Sequence, residues 1–465
     1  MNTEFTRRSL LKAAGLGAGV AIATTYSPFS YAQNEKVRVA SIGTGAQGCF
    51  HLGDGLARAS NIQMIAVCDV YKPQLEEGWK KAGGGEVKKY MDYREMLEKE
   101  KLDAVVIATP LVTHYQITTD CLDAGKYVFC EKTMCYSIED ARNVVKKCHE
   151  KGRFVQVGHQ RRYNPTYNHA LKMAREEAVI GRINHIDCQW HRNNEWRRDI
   201  PKNYVLSPDE AKWITDLEHH LNWRLYKETS GGLMTELATH ALDVVNWYLD
   251  ANPTRVFGYG GLDYWRDGRT VFDNVNVAYE YQITDKNGGY RPIEPRDEGQ
   301  KENAELNAAY TVRCVYSSIS ANAQRGASET FQGDEGAFVL SEYGSYLFPE
   351  PTAKVKWADK AQRDADQENA VVITSGGTLT LSNKALKNGK PFTVDTDKSV
   401  DQLQFEAFAH DVQTNGTPRA NQMVGLQSAI CALTGLMAME ERREILVDPA
   451  WYKFDFETPP TALYG

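Results

Sequence analysis

The chain has 465 residues, of which 42% are hydrophobic and 25% charged, with a formal net charge of −7. That length exceeds what one hydrophobic core organises, so two or more domains are expected. A mildly acidic balance without a basic tract argues against nucleic acid as a partner, and nine cysteines without paired spacing argue against both a disulfide framework and a zinc cluster.

At the N-terminus, Thr6-Arg7-Arg8-Ser9-Leu10-Leu11-Lys12 is a twin-arginine pattern, followed by the moderately apolar run Ala13 to Ala23 and a small-x-Ala pattern at Ser30-Tyr31-Ala32. The run is too short and too rich in Gly and Ala for a spanning helix, and no later apolar run is expected to approach membrane-spanning length. Residues 1–32 are therefore expected to be a cleaved signal, the alternative being an uncleaved interfacial helix. Cleavage leaves 51 basic and 60 acidic residues, a net charge of −9. The twin-arginine route carries folded proteins, so a periplasmic destination, no membrane attachment after cleavage and a cofactor acquired before export are expected together.

The next stretch organises the chain. Val37 to Ile42 is an apolar strand running into Gly43-Thr44-Gly45-Ala46-Gln47-Gly48, and a helical segment follows through Leu56. Gly43 allows the tight turn, Gly45 lets backbone amides reach a pyrophosphate, and Gly48 lets the helix pack on the sheet; the helix N-terminus suits a diphosphate. A second strand, Gln63 to Cys68, ends at Asp69, 26 residues after Gly43, where an acid can hold the ribose hydroxyls. Asp69 favours NAD because a carboxylate repels a 2′-phosphate, while Tyr71-Lys72 softens that preference and keeps NADP open.

The alternation continues with a helix from Tyr93 to Glu100, a buried strand from Asp103 to Pro110, a helix from Thr113 to Ala124 and a strand from Lys126 to Cys130 ending in Glu131-Lys132-Thr133. Ser137 caps a helix with an acidic first turn and a basic last turn, running to Lys151, and Phe154 to Gly158 closes the series. Such alternation implies a doubly wound parallel sheet with helices on both faces, and ligands bind beyond its C-terminal strand ends.

Val106-Ile107-Ala108-Thr109-Pro110 with His114, then Glu131-Lys132-Thr133, then Gly158-His159-Gln160-Arg161-Arg162-Tyr163-Asn164-Pro165, taken in this order, resemble the Gfo/Idh/MocA oxidoreductases. The resemblance runs from about Val37 to Pro449. It implies a nicotinamide cofactor contacted by Gly43, Gly45, Ala46, Gln47, Gly48, Asp69, Thr109, Pro110, His114, Glu131 and Lys132. The family's Glu-Lys-Pro stands here as Glu-Lys-Thr, which removes proline's restraint on the backbone of Lys132.

Beyond Pro165 longer strands are expected at Gly181–Trp190, Val256–Gly260, Val275–Gln282, Ala309–Ala321 and Ser328–Leu340, with a charged insertion at Asp285–Ala304 and a helical pattern from Phe405 to Arg443. The expected division is a Rossmann domain over 33–160, a substrate and oligomerisation domain over 161–450 built on a mostly antiparallel open sheet covered by helices, and a tail over 451–465. The resemblance places the chemistry in Gly231 to Asp243. Glu236 and His240 are four residues apart and would share a helix face, either as an ordinary pair on a helix surface or, as the resemblance implies, with the carboxylate orienting the imidazole. The family has Asp where this chain has Glu236.

The expected reaction is hydride transfer between a sugar or glycoside carbinol carbon and a tightly held cofactor, with His240 as base and Lys132 donating to the same oxygen. Glu131 holds either Lys132 or the cofactor, or forms a plain ion pair. Arg162 and Tyr163 are expected to contact substrate hydroxyls, the alternative for Arg162 being that it only braces the domain junction. The Trp- and Arg-rich stretch between Cys188 and Gly231, with Trp223 and Arg224 foremost, either forms the sugar pocket or is buried between subunits. No metal is expected, and a homo-oligomer is. Two other readings share the motifs: a glycosidase that oxidises, eliminates and re-reduces, and a cofactor-loaded binding protein.

Overall fold

The computed structural model describes residues 35–292, 309–341, 344–349, 389–454 and 456. The expected signal, most of the charged insertion and most of the C-terminal tail lie outside these residues.

Six strands form the first sheet: β1 (Val37–Ile42), β2 (Ile62–Cys68), β3 (Lys88–Tyr90), β4 (Ala104–Ile107), β5 (Tyr127–Cys130) and β6 (Val155–Val157). They are parallel and lie in the order β3-β2-β1-β4-β5-β6, a doubly wound arrangement whose order reverses beside β1. Every residue of β4 is buried, as a strand covered on both faces requires. The connections carry α1 (Ala46–His51), α2 (Lys72–Lys81), α3 (Tyr93–Lys99), α4 (His114–Asp123) and α5 (Ile138–Lys151). Local chemistry sets their ends. Ser137 accepts from the Asp140 amide at the start of α5, and Gly152 stops that helix in the left-handed conformation.

The second sheet contains nine strands among the described residues: β7 (Ile183–His191), β8 (Pro253–Gly261), β9 (Asn274–Ile283), β10 (Tyr310–Ile319), β11 (Ala327–Gly333), β12 (Gly336–Ser341), β13 (Ser345–Pro349), β14 (Lys390–Phe392) and β15 (Ile445–Leu446). β7 and β10 pair in parallel; the other pairings are antiparallel. Strict alternation in β9 buries Val275, Val277, Tyr279, Tyr281 and Ile283 beneath the helices. The single strand expected over Ser328–Leu340 is a hairpin, because Asp334-Glu335 turn the chain between two glycines.

Helices α6 (Pro165–Arg175), α7 (Leu217–Leu221), α8 (Thr239–Leu249), α9 (Val400–Thr414) and α10 (Gln422–Glu441) complete the described fold. The helical pattern from Phe405 to Arg443 is thus two helices, broken where Asn415 turns left-handed ahead of Pro418. α10 corrects the expectation about apolar runs. It is long and apolar enough to cross a membrane, but it is largely buried against α5, α8 and β8, and that all-round burial explains its composition. α9 crosses back to the first domain, where Phe405, Phe408 and Val412 pack with Val37, Val39, Leu52 and Phe129 in one core. The two sheets follow one another in the chain, but the core around the first is completed by a helix from beyond the strands of the second sheet's main body.

Phe405 is fully buried beneath β1 and β5, so Phe405→Ala is expected to cost about 3–5 kcal/mol. Urea unfolding followed by far-ultraviolet circular dichroism would measure it. A loss under 1 kcal/mol would mean that α9 is dispensable to the first domain.

Candidate active site

The turn after β1 is shaped by steric exclusion. Gly43 has φ +88°, and a Cβ there would lie 2.6 Å from the Ala108 carbonyl; a Cβ on Gly48 would lie 2.0 Å from the Gly43 oxygen. Only glycine lets α1 pack this close to the strand ends. Beyond the turn is a cavity of about 350 Å³, lined by Gly43, Gly45, Ala46, Gln47, Asp69, Thr109 and Pro110. The Thr44 and Tyr71 amides donate to the two oxygens of Asp69, at 2.7 and 2.9 Å, and fix its carboxylate at the cavity wall. Burial raises the Asp69 pKa against the opposing pull of these amides and of neighbouring His220. This donor set fits a dinucleotide, with the acid at the ribose and backbone amides at the diphosphate.

The second domain covers the same cavity. Trp213, His220, Trp223 and Arg224 line its far wall. Their segment is anchored on the corner after β2, where Tyr71 packs with Ile214 and Leu221 and Glu210 accepts from the Lys72 amide at 3.0 Å. Trp223, expected against the sugar, faces the dinucleotide cavity instead. Arg224 lines both this cavity and the adjoining cleft.

That cleft, of about 770 Å³, brings Lys132 and His240 together from the two domains. The Lys132–Thr133 peptide is cis. Lys132 Nζ donates to the Glu236 carbonyl at 2.9 Å, and Thr133 Oγ1 donates to the Thr235 carbonyl at 2.8 Å. Both acceptors lie in a π-turn over Met234–Ala238, directly before α8. The expected orientation of His240 by Glu236 is corrected here. The π-turn breaks the helical spacing on which that pairing relied, and the Glu236 carboxylate accepts from Arg224 Nε at 2.9 Å and from Ser230 Oγ at 3.2 Å. His240 lies against Trp190, ring centroids 5.5 Å apart, and its Nδ1 is buried with no hydrogen-bond partner among the described residues. Burial, reinforced by Lys132, Arg161 and His159, drives its pKa well below that of free histidine, so the ring is neutral at pH 7.

Glu131 is neither exposed nor a partner of the lysine ammonium. Its Oε1 meets His51 Nε2 at 2.7 Å, its Oε2 accepts the Lys132 amide at 3.0 Å, and His51 Nδ1 meets Asp401 of α9 at 3.0 Å. Burial alone would discharge the imidazole, but the Asp401 and Glu131 hydrogen bonds outweigh it and raise His51 to about 9. Burial likewise opposes charge on Glu131, yet His51 and then Lys132 hold it down at about 2. Sequence reasoning missed His51 and Asp401. They lie 350 residues apart, and no local signal links them.

Three expected contacts are structural. Arg162 donates to both oxygens of Asp243, at 2.9 and 2.9 Å, and stacks on Trp247. Tyr163 is buried and accepts the Ala420 amide at 3.3 Å. Neither lines the cleft, because the short helical turn over Gln160–Tyr163 sends Arg161 toward it instead. His114 is also away from both cavities. Its ring nitrogens meet the Thr133 and Thr109 carbonyls at 2.9 Å each, bracing the ends of β4 and β5.

The profile described as "Oxidoreductase family, NAD-binding Rossmann fold" matches residues 37–159, and the GFO/IDH/MocA C-terminal domain matches residues 168–283. Inositol 2-dehydrogenase of Rubrobacter xylanophilus is 32% identical over 40% of this chain and 54% of its own length. The scyllo-inositol 2-dehydrogenase (NAD+) of Bacillus subtilis is 26% identical over 49% of this chain and 58% of its own. The chain thus spans little more than half the length of these relatives. In fold it is similar to the WlbA dehydrogenase of Bordetella pertussis, solved with NADH and UDP-GlcNAcA, with a TM-score of 0.60 and 18% identity over 89% of this chain and 98% of that one.

Replacing His51 leaves two buried carboxylates facing each other, so His51→Gln is expected to cost about 3–5 kcal/mol. Because the folded pKa of His51 is raised to about 9, its contribution is complete below pH 6.5 and is lost as pH rises through about 9. Calorimetry from pH 5.5 to 9.5 should show the gap between wild type and variant closing toward the alkaline end. A constant gap would mean that His51 is uncharged.

Proposed function

The chain belongs to the Gfo/Idh/MocA oxidoreductases, and on that premise we propose that it transfers a hydride between a carbinol carbon of a sugar-like polyol and NAD. The observation that carries this reading is the convergence of Lys132 and His240 on one cleft that adjoins the glycine-lined cavity. Gly45, Ala46, Asp69 and Thr109 would hold the dinucleotide, which when bound supplies the hydride acceptor or donor. The chain's own residues manage the proton. His240 is neutral at pH 7 and can take the hydroxyl proton of the substrate. Lys132, steadied by the Glu236 carbonyl, can donate to the same oxygen as negative charge develops on it. Trp190 offers an aromatic face beside the imidazole for a sugar's C–H surface.

The proposal extends to a resident cofactor and to export through the twin-arginine segment. Support comes from the second-domain segment that closes over Asp69 and Tyr71, since a covered dinucleotide survives transfer to a compartment poor in free nucleotide. It extends also to self-association through the outer face of the second sheet, where Phe257, Tyr259 and Val315 are exposed.

His240→Asn and Lys132→Met are each expected to lower kcat about 10²–10⁴-fold with nucleotide content unchanged. Turnover at the wild-type rate would take the two side chains out of the chemistry, and no turnover by the wild type itself with any sugar-like polyol would favour the non-enzymatic reading. With the His240 pKa depressed, loss of the free base should begin only well below pH 6.5, so kcat/KM should hold level down to that pH before its acid limb. Denaturing the purified protein should release stoichiometric NAD(H). A free sugar formed without keto product or reduced nucleotide would instead favour the redox-neutral glycosidase.

A further inference from the structure

From the arginines of the cleft we infer that the substrate carries a carboxylate, as a hexuronate or aldonate does, and that Arg192 and Arg198, adjoining Arg224, receive it. This rests on the redox reading above and names the substrate class for the same site.

Among the described residues the cleft is lined by five arginines, and their partners divide them. Arg161 pairs with Glu329, Arg197 with Glu218 and Asp267, and Arg224 with Glu236. Among the described residues Arg192 and Arg198 face no acid. The Arg192 guanidinium lies 4.8 Å over the Trp196 ring, and its Nε is buried without a hydrogen-bond partner. Arg198 is fastened only through its backbone, whose amide donates to Asn222 Oδ1 at 2.6 Å, so its side chain is left to the cleft. Arg224 lies over Trp223, at 4.3 Å, and spends its Nε on Glu236.

The acids lining the cleft are already neutralised. Glu131 and Asp401 share His51, with the Lys132 charge beside Glu131 balancing the second acid, Asp54 pairs with Arg58, and Glu236 pairs with Arg224. Among the described residues, Arg192 and Arg198 therefore remain in the cleft as positive charge without an acidic partner. Burial, with Arg224 beside them, disfavours the charge on both Arg192 and Arg198, and a bound anion relieves that cost. Two guanidinium forks, that of Arg192 seated over the Trp196 ring, match the planar, bidentate geometry of a carboxylate. A neutral polyol would leave both charges unanswered. Arg198 and Arg224 also line the dinucleotide cavity, whereas Arg192 lines only the cleft, so Arg192 distinguishes a substrate role from a diphosphate role.

The test compares hexuronates and aldonates with their parent neutral sugars, and with hexose 6-phosphates, by isothermal titration and by initial rate on the full-length NAD-loaded protein. Acids should bind at least about tenfold more tightly than the parent sugars. Arg192→Gln should abolish most of that preference, with neutral-sugar binding within about threefold and bound NAD and Tm retained, and Arg192→Gln/Arg198→Gln should abolish the rest. Arg192→Lys should recover part of the preference, since charge remains while the fork is lost. Arg192-dependent binding of acids without nucleotide reduction would uphold this inference and sink the redox reading. Turnover of neutral sugars as good as or better than the acids would do the reverse. A preference for hexose 6-phosphates over carboxylates, no Arg192-dependent binding of any acid, or loss of NAD in place of loss of the preference would each overturn the inference, the last by assigning the arginines to the dinucleotide diphosphate.

Discussion

The active cleft depends on a pair of hydrogen bonds that stitch one strand end to one helix start. Lys132 and Thr133, just past β5, donate to consecutive carbonyls of the π-turn that leads into α8. A regular α-helix spends its carbonyls on its own amides, and the widened turn presents these two to another domain. The ammonium and the imidazole one turn further on are thereby registered against each other, although 108 residues separate Lys132 from His240 in the chain. The Thr109 and Thr133 carbonyls are tied in turn to the two nitrogens of His114, which fixes the floor on which the stitch rests.

A second constraint works at right angles to the first. Glu131, adjacent to the lysine, is clamped by a charged His51 that is itself held by Asp401 on α9. The fold thus uses a buried cation between two acids to join α1, the end of β5 and a helix from the far end of the chain. Burying three charges is costly unless every one is answered, and here each carboxylate has the same imidazolium as partner. The packing of Phe405 and Phe408 on Phe129 places this network in a dry setting, where its hydrogen bonds are strong.

The Trp- and Arg-rich stretch serves both cavities. Trp213 and Trp223 turn toward the dinucleotide cavity, while Arg192 and Trp196 turn toward the cleft, and Arg198 and Arg224 sit where the two join. Stacking on the Trp196 ring restricts the Arg192 guanidinium plane without consuming its donors, so that fixed charge stays available to a ligand.

The first domain was legible from residues alone, because its signals are local. A strand buried on both faces reads as an unbroken apolar run, Ser137 and Gly152 punctuate α5, and Gly43 and Gly48 stand where any side chain would collide with backbone. The motifs likewise singled out Lys132, His240 and Asp69. Tertiary structure decided what periodicity cannot encode. The π-turn shifted Glu236 from His240 to Arg224, because a one-residue change in helical winding leaves no mark in a four-residue spacing. Packing also turned Arg162 and Tyr163 inward and Arg161 toward the cleft, a choice between neighbours that depends on where Asp243 and Glu329 arrive from distant strands and helices. The pairing of His51 with Asp401 was beyond reading for the same reason: charge partners separated by hundreds of residues meet only when packing brings them together, and the sequence records each without recording the meeting.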